Sequence, residues 1–221
     1  MSMQSRIETR DRTLAAITDD IAGFRLSFKD KNRMFTIFDR YMSRIPVIKH
    51  VWSTWMNFTT TFYPRVQFSD TQTWNDKPLK SARTLQHEWV HLRDAETFFG
   101  LLPKKLRYLN VLLFTIAYAS PQVFVLLAPF AVMFDASHNH MWLFLLLMIL
   151  PIPSPLRMYA EMRAYRRSRE LGADIEHMTD AFTTLKYWKM WPFKHAVMKL
   201  LMKPSPYKHE MDEVWQDRTR E

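Results

Sequence analysis

Residues 84–92, Thr-Leu-Gln-His-Glu-Trp-Val-His-Leu, decide how this chain is read. No proline or glycine falls between Pro78 and Gly100. The window therefore predicts a helix from about residue 78 to about residue 98, with Asn75 or Asp76 as its cap and Pro78 in its first turn. Gly100 and Pro103 stop it. On a helix, positions i and i+4 share a face. His87 and His91 thus aim two imidazoles at one point, with Glu88 beside it. Two histidines and a carboxylate at this spacing fit a zinc ion and a general base. Zinc brings the pKa of a bound water to about 7 and polarises a scissile carbonyl, and Glu88 takes the proton.

Catalytic zinc usually takes three ligands from the protein. The extension His-x-x-Gly-x-x-His is absent, because Asp94 and Thr97 stand where Gly and the third His are required. Two later glutamates are open, Glu161 and Glu170. Nine residues separate them, so they lie on opposite sides of one continuous helix. Glu161 shares a face with Met158, Ala164, Tyr165 and Ser168, a small and largely apolar set. Glu170 shares a face with Arg163, Arg166, Arg167 and His177, which reads as solvated. A metal site needs a shaped, sheltered cavity, so Glu161 is preferred as third ligand. His138 and His140 read as loop histidines. Asp94 reads as a solvated acid, with the orientation of a ligand histidine as its other role. Tyr165, Arg157, His177, Tyr187 and His195 are candidates to hydrogen-bond a developing oxyanion. Tyr165 is carried forward beside Glu88 as catalytic.

Composition narrows the alternatives. The 221 residues contain no cysteine and three glycines, and the net charge is +9. A disulfide scaffold, a cysteine-ligated metal and a thiol nucleophile are excluded. So are the glycine-rich phosphate loops. An apolar share of 48% supports a real core. The positive charge predicts a polyanionic neighbour, and an anionic membrane surface is the expected one. The Arg-rich stretch 157–169 carries no nucleic-acid motif, so no nucleic-acid partner is expected. Residues 1–12 are polar with no apolar stretch behind them, which predicts a start in a cytosol-like compartment.

Outward from the motif, residues 1–33 read as one or two amphipathic helices with Ile21, Phe24, Leu26 and Phe28 on the apolar face. Residues 34–62 follow a helical period broken at Pro46. Residues 60–68 read as an edge strand, with Pro64 at a position an edge tolerates, and 69–78 as a turn-rich loop. From Tyr108 to Pro155 the sole formal charge is Asp135. Lys104, Lys105 and Arg107 precede this stretch and arginines follow it, whereas the 135–140 connector has no Lys or Arg. The positive-inside rule then predicts an apolar helical hairpin over 108–155, with both ends on the cytoplasmic side. The bland alternative is a hairpin buried within the protein. Residues 156–185 read as helical, 186–193 as an aromatic cluster, 194–202 as a short amphipathic helix, and 203–221 as a loosely held tail.

The order His-Glu-x-x-His, apolar hairpin, Glu-x-x-Ala resembles the gluzincin group of zincin metallopeptidases. In particular it resembles integral-membrane metalloproteases of the Ste24/HtpX type. The segments 157–168 (RMYAEMRAYRRS) and 187–193 (YWKMWPF) also resemble parts of small predicted peptidases encoded by bacteriophages. The resemblance covers roughly residues 60–175. It implies His87, His91 and Glu161 as zinc ligands, Glu88 as base and an active site facing the cytoplasm. That family's third-ligand motif is Glu-x-x-Ala-Asp. Glu161 is followed by Ala164 and Tyr165, whereas Glu170 matches through Ala173 and Asp174.

The expected fold is mainly α (α+β with a small edge sheet), zincin-like, with the inserted hairpin. The expected organisation is an N-terminal helical region (1–58), a metallopeptidase domain (59–202) and a polar tail (203–221). The expected function is a zinc-dependent, membrane-associated peptidase acting on a peptide or protein substrate. The alternative is a non-enzymatic helical structural or membrane-inserting protein, such as a phage virion component, with a structural or decayed metal site. Oligomeric state is not legible.

Overall fold

The computed structural model describes residues 1–42, 44, 56–119, 155–184 and 193–207. The fold is mainly helical with one small sheet, as the sequence predicts. Most of the expected hairpin, its connector with His138 and His140, the Pro46 break, Tyr187 and residues 208–221 lie outside the described residues. Contacts divide the chain into two compact units, 1–93 with 205–221, and 94–204.

The first unit opens with α1 (Met3–Asp20), whose N-cap Ser2 accepts from the Ser5 amide. Thr9, Thr13 and Ile17 form its buried face, and the Thr9 and Thr13 hydroxyls donate back to the carbonyls of Ser5 and Thr9. Gly23 then turns the chain at φ 77°, a region that favours glycine. Next comes β1 (Arg25–Phe28), so Leu26 and Phe28 belong to a strand and not to an amphipathic helix. After α2 (Arg33–Met42), β2 (Thr60–Phe62) and β3 (Arg65–Phe68) complete a sheet of order β1-β3-β2. β1 pairs parallel with β3 (Arg25 opposite Arg65), and β2 pairs antiparallel with it (Phe62 opposite Arg65). The expected single edge strand over 60–68 is therefore a tight hairpin. Its first arm lies at the edge and Pro64 sits in the turn. The β1–β3 pairing brings residues 25–28 of the expected N-terminal region into one sheet with residues 65–68.

The next helix, α3 (Thr71–Asp76), occupies the expected loop. Asp70 caps it, accepting from the Thr73 amide, so Asn75 and Asp76 lie inside α3. Trp74 meets Phe68 and Phe28 edge-on, with ring centroids 4.9 and 5.7 Å apart. Each such pair contributes about 0.5–1.5 kcal/mol beyond its buried area. The motif helix α4 (Pro78–Thr97) starts at Pro78, where a missing N–H costs nothing. Within this unit the Trp89 indole donates to Asp20 Oδ2 at 2.8 Å, and Arg93 pairs with Asp20 Oδ1 at 3.3 Å. The motif helix is thus tied to the last residue of α1.

The second unit contains the last turn of α4, α5 (Arg107–Ala119), α6 (Pro155–Glu170), α7 (Ile175–Thr183) and α8 (Lys194–Leu201). The chain leaves α4 through Phe98 and Phe99 at φ 45° and 62°, before Gly100 at 82°. Two bulky residues in the left-handed region are strained. Packing of the Phe99 ring against Phe114 and Tyr159, each at 5.3 Å, offsets that cost. The buried Asn110 amide donates to the carbonyls of Glu96 and Pro103, which ties α5 to the end of α4. Met162, Met178, Phe182, Val197 and Leu201 form the core that joins α6, α7 and α8. No described helix is long and apolar enough to cross a membrane.

Candidate metal centre

His87 and His91 occupy successive turns of α4, as the spacing predicts. Their rings meet edge-on with centroids 5.0 Å apart. His91 is buried and His87 half-buried. Glu161, from the middle of α6, is 3% exposed. One ligand atom from each of His87, His91 and Glu161 lies within 4.8 Å of the other two. Donors on a tetrahedral zinc with bonds of about 2.0–2.1 Å stand roughly 3.4 Å apart. The two-imidazole, one-carboxylate set is one that zinc takes in open, catalytic sites.

Glu170 joins no such group among the described residues. It ends α6 and pairs with Arg167 at 3.5 Å. Its apparent match to Glu-x-x-Ala-Asp has a local explanation. The helix stops at Glu170, Gly172 turns the chain at φ 82°, and Asp174 caps α7 by accepting from the amides of Glu176 and His177. Asp174 therefore does not lie one turn along the same helix.

Glu88 is buried, and the Thr61 hydroxyl of edge strand β2 donates to its Oε2 at 2.5 Å. Lys29, just beyond β1, is fully buried. Its ammonium donates to the Phe58 carbonyl at 2.7 Å. Burial lowers the Lys29 pKa from 10.5 to about 8, and the Glu88 charge offsets part of that fall. The linkage has a definite sign. Between about pH 8 and 10.5 the unfolded chain keeps this proton while the folded chain has lost it. Stability contributed at this site is therefore lowest below pH 8 and rises through the window, by up to about 3 kcal/mol. Urea titrations of metal-free protein at pH 7.5 and 10 should show this rise relative to Lys29→Met. Parallel pH profiles in the two proteins would refute it.

Tyr165 packs edge-on against Phe182, its ring 5.2 Å away, beside the α6–α7–α8 core. The tyrosine whose hydroxyl reaches Glu161 is Tyr118, at the end of α5, donating to Oε1. The Arg157 guanidinium lies 5.3 Å over the Tyr118 ring. His177 and His195 are exposed on α7 and α8. Asp94 is not a solvated acid. It is fully buried and accepts a forked hydrogen bond from Arg163 at 2.8–3.0 Å. Arg163 and Arg167, expected on a solvated face, are 8% and 1% exposed.

Spacing alone did not reveal Thr61, Lys29 or Tyr118, because each lies far from its partner in sequence. The one available signal was that Tyr118 carries a hydroxyl within a largely apolar run. No family model, curated protein or solved structure matches this chain.

Proposed function

We propose that this chain is a zinc-dependent metallopeptidase of zincin type, and that His87, His91 and Glu161 hold the metal. The observation that carries this reading is the convergence of those three ligand atoms within 4.8 Å, with Glu88 next to His87 on the same helix. Bound there, zinc would polarise a substrate carbonyl and lower the pKa of a water. Glu88 accepts the proton of the attacking water and passes it to the leaving amine. Thr61 fixes one oxygen of that carboxylate, which limits the orientations Glu88 samples. β2 lies at the edge of the sheet, and an edge strand offers main-chain groups to an extended peptide. This favours a peptide over a compact small molecule as substrate.

The test is hydrolysis of a mixed fluorogenic peptide library by zinc-loaded wild type and Glu88→Gln. The variant should keep its zinc and lose activity by roughly 10²–10⁴-fold, the usual worth of a general base. Zinc retained by a wild type that cleaves nothing, or equal cleavage by both proteins, would replace this reading with a metal site that only holds structure.

A further inference from the structure

Helix α5 carries two unlike faces. Asn110, Phe114 and Ala117 are buried against the rest of their unit, and Tyr118 reaches Glu161. On the other side Tyr108, Leu109, Leu112 and Ile116 form an exposed apolar stripe, with Tyr108 83% and Leu112 56% accessible. Soluble surfaces carry single exposed apolar residues, but a contiguous stripe marks an interaction site. The first turn of α6 repeats the pattern with Leu156 and Tyr159 exposed. These two helices border residues 120–154, whose only formal charge is Asp135.

Charge identifies the occupant. Lys104 and Lys105 precede the stripe, and the Arg107 guanidinium lies 5.1 Å over the Tyr108 ring. Cations and amphipathic aromatics at the rim of an apolar face suit the headgroup layer of a bilayer, and basic residues there are drawn to anionic lipid. A second copy of the same face would bring like charges together. We propose that the outer face of α5 docks on an anionic phospholipid surface. The proposal goes beyond the metal chemistry and stands without it.

The chain has no cysteine, so one introduced thiol reports one site. Full-length Leu112→Cys carrying an environment-sensitive dye should shift its emission to the blue on phosphatidylcholine vesicles containing phosphatidylglycerol. The same dye on Asp11→Cys, exposed on α1, should not shift. All arms contain a chelator, so a failed zinc site leaves the result unaffected. Binding should weaken at least tenfold on pure phosphatidylcholine, or when Lys104 and Lys105 are changed to Gln. The double variant Leu112→Asp/Ile116→Asp, with circular dichroism as the control for folding, should weaken it similarly. No blue shift at position 112 would overturn the proposal. So would equal binding to neutral vesicles, or a dimer split by the double variant without any vesicle binding.

Discussion

Loaded with zinc and desalted, wild type and Glu170→Ala should each keep one zinc per chain, and Glu161→Ala should keep essentially none. The expectation follows from the donor geometry. Among the described residues, Glu161 is the carboxylate that groups with both imidazoles within 4.8 Å, while Glu170 is engaged by Arg167 at the end of α6. Losing one of three ligands should weaken binding by more than the roughly 10–100-fold expected for removing a supporting partner. Tyr118→Phe supplies that milder comparison. Its hydroxyl holds one Glu161 oxygen, so its loss should weaken zinc by about 10–100-fold without abolishing the site. Competition with a chromophoric chelator measures all four proteins. Full zinc in Glu161→Ala would remove that residue from the site. Loss only in Glu170→Ala would transfer the ligand role to Glu170.

The second large effect belongs to stability. Asp94→Asn should destabilise the protein by about 3–5 kcal/mol, because it leaves the Arg163 guanidinium buried without its counter-charge. Asp94 is fully buried and the ion pair is forked, with contacts of 2.8–3.0 Å. An exposed pair would contribute at most about 1 kcal/mol. For a chain of this size the loss corresponds to a fall in melting temperature of roughly 10 °C. Replacing both partners, Asp94→Leu with Arg163→Met, should recover much of it, since no unpaired charge remains. A fall of only a degree or two in Asp94→Asn would show that water reaches the pair. Asp94 lies three residues past His91 on α4, and Arg163 two past Glu161 on α6. The same substitution should therefore also lower zinc affinity.

Much of the candidate site was legible because its parts are local. His87, Glu88 and His91 need only a helix, and Pro78 and the glycine-free run specify that helix. Glu161 was separable from Glu170 because its helix neighbours are small and apolar, and burial follows such neighbours. The charged residues around it were misread for the complementary reason. Arg163 and Arg167 read as solvated until their partners are known, and Asp94 is 69 residues from Arg163 in sequence. The match of Glu170 to a family pattern also failed locally, since Gly172 ends the helix before Asp174.

By itself, then, the sequence determined the motif helix, the mainly helical class and the short helix α8. Each depends on periodicity or on residues a turn or two apart, where backbone geometry leaves few options. Tertiary structure alone decided that β1 joins β3, that 60–68 folds as a hairpin and that Asp70 opens a helix in the expected loop. It also decided which buried groups meet: Thr61 with Glu88, Tyr118 with Glu161, Asp94 with Arg163. These pairings join segments distant in the chain. Burial sets them by making an unpaired polar group costly, and short-range patterns carry no record of that cost.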